Sequence, residues 1–363
     1  MLISQKSKEI IDSCRFCWMC RHICPIGNAT GQERNNARAR MLALSLVERE
    51  AEPLSGVADN IYECAMCEAC TKECVTGWDP VKVVGEVKLE LALNGETPEY
   101  VNTMLDNIEK SGNVYGKTAI CDALKAAAAK HSAKTDTLFV IGKTAMYNSC
   151  TNAKRAIELL EAAGVEFTVL ADEPDTGYEM SFLVGAAQET KDIMSKAAEV
   201  FSQYKTVVAY DPADAKVMLR EYKEWDVGMT AQAKTFTAYV AELIKDGKLN
   251  VKKGAKKYTA QDSHWLARSL EETEPIREIL SACGEVSEML LNRRDTMLAG
   301  NLIMNEYMPD VMKRVAEDRW INAKNMDTEI LVTESPDEYE LLSATKPEGI
   351  ELMTVEEVVL QCL

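Results

Sequence analysis

Two cysteine runs of matching spacing constrain this chain more than any other feature: Cys14-x2-Cys17-x2-Cys20-x3-Cys24-Pro25 and Cys64-x2-Cys67-x2-Cys70-x3-Cys74. This spacing holds 4Fe-4S cubanes: three thiolates converge on one cluster from a tight loop, and the fourth, on a stiffer segment, reaches away from it. Structural zinc sites take their cysteines as two separated pairs, which leaves no use for the rest of either run. Disulfides need an oxidising compartment, and the opening MLISQKSKEIIDSC has no apolar secretory core. A cytoplasmic location and an electron-transfer role are therefore expected.

The 363 residues, 47% hydrophobic and 27% charged, suffice for folded cores in two or three domains. No run of eighteen apolar residues appears, so no bilayer span is expected, although peripheral membrane association through a partner is compatible with the sequence. A net charge of -17 argues against nucleic acid and favours partners with basic docking faces. The one basic group, Lys252, Lys253, Lys256 and Lys257, reads as a solvated turn.

Between the cysteine runs, RNNARARMLALSLVERE places Met41, Leu42, Leu44, Leu46 and Val47 among helix-favouring neighbours. Asp79-Pro80 is an N-cap followed by proline at the first helical position, and the helix it starts is expected to run to Asn94-Gly95. Another is expected from Pro98 to Ser111-Gly112. Residues 1–115 thus form a mainly α-helical domain.

From about residue 135 short β-rich runs alternate with amphipathic helices: TLFVIG, a helix ending at Gly164, VEFTVLA, a further helix, and TVVAY. That is the pattern of a parallel α/β unit. A second unit begins near Lys257 with KYTA, continues through PIREILSACG and VMKRVAEDRWINAKN, and reaches EILVT before Ser335-Pro336. The expected fold class is multidomain α+β, with two α/β units at 135–250 and 255–363. Gly142-Lys143-Thr144 resembles the end of a phosphate loop, but the glycine required five residues earlier is Thr137, so nucleotide binding is set aside.

The cysteine runs resemble those of two-cluster ferredoxins, and the helical setting is similar to the ferredoxin half of the iron-sulfur subunits of succinate dehydrogenase. Carried over from that resemblance, Cys14, Cys17, Cys20 and Cys74 hold one cluster, and Cys64, Cys67, Cys70 and Cys24 hold the other. Nearly the whole chain resembles the superfamily of iron-sulfur subunits found in glycolate oxidase, anaerobic glycerol-3-phosphate dehydrogenase and heterodisulfide reductase. In the α/β part the likeness rests on order and on strings such as DSHWLAR (Asp262 to Arg268) and ILVTESP (Ile330 to Pro336).

The family's α/β repeats carry a Cys-Cys-Gly (CCG) signature and further cysteines that bind zinc or another iron-sulfur cluster in some members. Here Glu173-Pro174-Asp175-Thr176 and Met297-Leu298-Ala299-Gly300 stand at the signatures, and Asp211 and Ser335 stand at two further cysteines. Asp262-Ser263-His264-Trp265 puts His264 where a cysteine ligand would be. The resemblance therefore implies degenerate repeats stripped of metal. With three histidines in the chain and no neighbouring cysteine, His264 reads as a satisfied core or surface histidine, the alternative being a ligand or proton donor at a remodelled pocket. Cys121, Cys150, Cys283 and Cys362 are widely separated and are expected to be small buried hydrophobes. Trp18 and His22 either shield a cluster or simply pack the first loop. Cys74 lacks the proline that follows Cys24, which bears on the amide hydrogen bonds around one cluster.

No flavin, nicotinamide or catalytic constellation is present, so no substrate chemistry and no catalytic residue are expected. The resemblance implies an electron-transfer subunit with two 4Fe-4S clusters that serves a flavin-containing or other redox dehydrogenase and an electron carrier or quinone-linked acceptor, in anaerobic metabolism. Two alternatives are a catalytic role like that of heterodisulfide reductase and a bridging scaffold in a larger metal-dependent dehydrogenase complex.

Overall fold

The structure, a computed structural model, describes residues 3–14 and 17–363. It divides into two compact units. The first runs to Gly116 and takes in Glu179–Lys191 and Ile303–Val315; the second comprises Lys117–Tyr178, Asp192–Leu302 and Ala316–Leu363.

The first unit is helical. Its longer N-terminal helices are Gln5–Ser13, Ala37–Glu48, Pro80–Asn94 and Glu99–Ser111. The Asn36 side chain accepts from the Ala39 amide at 3.0 Å, and Asp79 from the Lys82 amide at 3.1 Å; each satisfies a donor the first helical turn leaves open. Gly95 closes Pro80–Asn94 and Gly112 closes Glu99–Ser111, both left-handed, so these two helices fall where the sequence placed them. Ile10, Ile11, Met41, Leu44, Ile61, Val83, Val87 and Leu91 are buried between them.

The two late segments are tied in by backbone-directed bonds. The Val114 amide donates to Glu179 at 2.8 Å, Tyr307 Oη donates to the Tyr62 carbonyl at 2.7 Å, and Arg314 donates to the Ala29 carbonyl at 3.3 Å. The Tyr307 ring also stacks on Tyr100 at 4.7 Å between centroids.

The second unit holds two parallel sheets. One has the order β1-β2-β3, with β1 Thr137–Val140, β2 Thr206–Ala209 and β3 Gln232–Thr235. The other has the order β5-β4-β6-β7, with β4 Lys257–Gln261, β5 Glu285–Val286, β6 Ile330–Thr333 and β7 Glu351–Thr354. Parallel pairing requires crossover connections, and the helices Cys150–Ala162, Phe236–Lys245, Glu274–Cys283 and Val355–Cys362 pack on a single apolar core with the strands. Phe139, Val208, Phe236, Tyr258, Ile279, Val332 and Val358 belong to that one core, so both sheets share it.

VEFTVLA does not become a full strand. It touches β1 by one bridge, Leu138 to Thr168, and the Val169 amide then turns to the His131 carbonyl at 2.8 Å. The Gly142-Lys143-Thr144 turn, at φ +86° for Gly142, is filled by protein: the Ile141 and Gly142 amides donate to the Glu173 carboxylate at 2.7 and 2.8 Å. A carboxylate therefore takes the donors that a phosphate loop would present to an anion.

Candidate iron-sulfur ligand site

All eight cysteines of the two runs lie in the helical unit, and local structure places each thiol. Cys14 caps Gln5–Ser13, its amide donating to the Ile10 carbonyl at 2.8 Å. Cys17 is exposed, with the Met19 amide 3.5 Å from its sulfur. Cys24 is the N-cap of Pro25–Thr30: its sulfur accepts from the Gly27 amide at 3.5 Å and lies 3.2 Å from the Asn35 carbonyl. Cys64 follows Ala58–Tyr62, Cys67 is buried, and Cys70 sits within Ala69–Lys72.

Around Cys67 the backbone is held in an unfavourable region, because Met66 and Glu68 both adopt left-handed conformations, at φ +54° and +58°. Each costs a non-glycine residue about 1–2 kcal/mol. The strain lies in the short segment that carries Cys64, Cys67 and Cys70.

Electrostatics sorts the thiols into two groups. Burial and the neighbouring Cys20, Cys74 and Cys17 push the Cys14 thiol up to about 12. Burial raises Cys20, opposed by an amide of Arg38, with Cys17 and Cys74 adding to the rise. Burial, then Cys64, Cys67, Cys24 and Cys20, pushes Cys70 well above its usual range. Burial raises Cys24, opposed by Arg40 and the Gly27 amide, with Cys64 again adding to the rise. Cys17, Cys20 and Cys74 thus act on Cys14, and Cys64, Cys67, Cys24 and Cys20 act on Cys70.

Such a donor set fits iron-sulfur clusters. Buried sulfurs whose pKa stays raised despite Arg38 and Arg40 have room for further positive charge, which cluster iron would supply, and amides aimed at Cys17, Cys20 and Cys24 suit anionic sulfur. Where Cys74 lacks its proline, the Thr76 hydroxyl stands 3.1 Å from the sulfur. Trp18 remains 49% exposed, with Arg38 and Arg21 lying 4.0 and 5.3 Å from its ring centroid. The His22 side chain is exposed.

The other sequence-marked residues belong to the second unit. Cys121 and Cys150 are joined by a disulfide with Cα atoms 6.4 Å apart, which corrects the reading of them as isolated hydrophobes. Their separation of 29 residues gave no spacing signal. Cys283 is buried, and Cys362 Sγ lies 3.9 Å from its carbonyl oxygen; burial and then Cys362 push the Cys283 thiol up.

Buried polar groups collect where β2, β4 and β6 end. Asp211 caps Pro212–Lys216 through the Ala213 amide at 2.9 Å, and Asp337 accepts from the Leu302 amide at 3.1 Å; the second oxygen of each has no hydrogen-bond partner. Asp262 makes a bidentate pair with Arg277 at 2.5 and 2.9 Å. His264 is not satisfied, contrary to expectation: it is 2% exposed, both ring nitrogens lack a hydrogen bond, and Glu338 lies 3.9 Å away. Burial, with Arg268 and Lys216, holds its pKa well below the usual range, so the ring is neutral. Among the described residues no three histidine, cysteine or carboxylate side chains are placed to hold a single metal ion.

Comparison with known proteins adds the following. Residues 10–78, which contain all eight cysteines of the runs, match the 4Fe-4S dicluster domain family. A protein of Chromohalobacter salexigens described as a "probable membrane-anchored ferredoxin" is 22% identical over 320 residues, 77% of this chain; the chain spans about half (48%) of that relative's length. Among solved structures, a glutamate racemase of Bacillus anthracis aligns with 63% of this chain and 80% of its own at 13% identity and TM-score 0.32. An aspartate racemase homologue of Pyrococcus horikoshii aligns with 62% and 96% at 14% identity and TM-score 0.29. Likeness at that level carries no argument about fold or activity. Among the described residues no helix is long and apolar enough to cross a membrane. The chain thus contains a 4Fe-4S dicluster-type domain and is similar to an iron-sulfur protein.

Proposed function

We propose that this chain is an electron-transfer subunit that carries two 4Fe-4S clusters and relays single electrons between a dehydrogenase, flavin-containing by the superfamily resemblance, and an electron carrier or quinone-linked acceptor. The observation that carries this reading is that all eight cysteines of the two runs lie in one helical unit and within the residues that match the 4Fe-4S dicluster family. When bound, the clusters supply one-electron redox chemistry. The chain's residues do the rest: Cys14, Cys17, Cys20 and Cys74 hold one cluster, Cys64, Cys67, Cys70 and Cys24 hold the other, and amides near Cys17, Cys20 and Cys24 stabilise charge on sulfur.

The relative's description as a membrane-anchored ferredoxin supports an electron-transfer role and is compatible with docking at a membrane-bound partner. The net charge of -17 favours a partner with a basic face. A cytoplasmic setting remains part of the proposal, and it implies that the Cys121–Cys150 pair is reduced there.

Iron, zinc and acid-labile sulfide per chain, measured on anaerobically prepared protein, test the reading. About eight iron and eight sulfide are expected for two cubanes. Zinc without sulfide would overturn it.

A further inference from the structure

Two cations are buried in the helical unit with no carboxylate beside them among the described residues. Lys88 is 0% exposed and Arg40 is 2% exposed. Lys88 Nζ donates to the Phe182 carbonyl at 2.8 Å and lies 5.0 and 4.3 Å from the ring centroids of Tyr62 and Phe182. Arg40 donates to the carbonyls of Asn35 at 2.5 Å and Asn60 at 2.8 Å, while its Nη2 has no partner. Neither cation has a carboxylate partner among the described residues.

Buried cations that meet only ring faces and main-chain carbonyls have lost their water without gaining an opposite charge, so each site has room for a counter-charge. Geometry points to where it belongs: Arg40 and the Cys24 sulfur meet the same Asn35 carbonyl, at 2.5 and 3.2 Å, and Lys88 lies 5.0 Å from the ring of Tyr62, two residues before Cys64. Cys24 and Cys64 belong to one proposed ligand set. The other group meets a cation at Cys14, but that is Arg38, which stacks on the exposed Trp18 ring.

Resting on the two-cluster reading, we propose that Arg40 and Lys88 are positioning residues for charge: they neutralise the anionic cluster ligated by Cys24, Cys64, Cys67 and Cys70 and raise its reduction potential above that of the other cluster. A one-electron reduction adds one negative charge to a cluster, and a fixed buried cation favours that added charge more than a solvent-screened one does. The electron then rests on the Cys24/Cys64/Cys67/Cys70 side and leaves from there.

The test is a redox titration followed by electron paramagnetic resonance on the full chain with reconstituted clusters, the two signals assigned with Cys17→Ser and Cys67→Ser. Wild type should show two potentials, the higher one lost in Cys67→Ser. Lys88→Met and Arg40→Met should lower that potential by at least a tenfold change in the reduced-to-oxidised ratio, about 59 mV for one electron, and Lys88→Arg should largely restore it. The other signal should not move. Equal potentials in wild type, the higher potential assigned to the Cys17 side, or equal shifts of both signals in the variants would overturn the proposal even if a variant folds poorly, because the wild-type ordering needs no variant of either cation. Iron and sulfide near eight per chain with any of those results would refute the cation role alone; their absence from wild type would refute the two-cluster reading beneath it.

Discussion

The hydroxyl of Tyr62 donates to the main-chain carbonyl of Leu183 at 2.8 Å, across 121 residues of sequence and wholly within the helical unit. The segment 179–191 is thus held to the helices beside the cysteine runs by specific buried bonds. A second close approach lies next to it. A Cβ on Gly185, itself at φ +63°, would stand 2.8 Å from the Gly85 carbonyl oxygen, and backbone cannot yield as a flexible side chain can.

Gly185→Ala should therefore destabilise the helical unit by about 2–4 kcal/mol, combining left-handed backbone strain with overpacking. Tyr62→Phe, which leaves the Leu183 carbonyl buried without its donor, should cost about 1–3 kcal/mol. Anaerobic denaturant titrations of both variants check this; unchanged midpoints would show that 179–191 contributes nothing to the unit's stability.

The proposed crossed ligation makes single cysteines informative. Cys24→Ser should abolish the cluster that Cys67→Ser abolishes, although Cys24 lies in the first run, and Cys74→Ser should abolish the cluster that Cys17→Ser abolishes. Iron should fall from about eight towards about four per chain in each case. Paramagnetic spectra of the residual cluster distinguish the two classes, and loss of the Cys17 cluster in Cys24→Ser would refute the crossing. Cys283→Ala should leave both signals in place, since Cys283 lies in the second unit.

The Cys121–Cys150 disulfide closes a loop of modest length. Breaking it in Cys150→Ser should lower the stability of the α/β unit by about 3 kcal/mol under oxidising conditions. In strong reductant wild type and variant should unfold together. A difference that persists in reductant would assign the effect to packing of Cys150 rather than to the bond.

Legibility followed the range of each interaction. Pro80–Asn94 was readable from Asp79, Pro80 and Gly95 because capping is a local contest for a few backbone donors and acceptors. The strands β1, β2, β4 and β6 were readable from short apolar runs between helices. The strands β3 and β7 went unnoticed: Gln232–Thr235 is half exposed and polar, and Glu351–Thr354 begins with an exposed glutamate, so neither looks like a buried parallel strand. VEFTVLA failed as a strand because Val169 finds its acceptor in His131, which no local pattern reveals. The cysteine spacing marked every thiol of the proposed ligand site. It did not mark Arg40 or Lys88, which read as ordinary polar positions on amphipathic helices until their burial was visible. The unsatisfied ring of His264 and the Cys121–Cys150 bond likewise depend on contacts between distant segments.

Asp211 and Asp337, at the ends of β2 and β6, titrate abnormally. Burial, and then Asp337, pushes Asp211 up to about 8; burial pushes Asp337 up to about 7, with Glu338 and Asp214 adding to the rise. The folded protein thus holds protons that the unfolded chain has released above its ordinary aspartate pKa near 4. Their contribution to stability is full below that value and is lost as pH rises through 7 to 8. Asp211→Asn and Asp337→Asn keep the oxygen that accepts from Ala213 or Leu302 but cannot ionise. Each should stabilise the α/β unit at pH 8.5 by on the order of 1–3 kcal/mol and flatten the decline in stability between pH 4 and 8. Denaturant midpoints across that range, for wild type and both variants, check the sign. A wild-type unit that gained stability from pH 4 to 8 as strongly as the variants do would show that these carboxyls ionise freely in the fold.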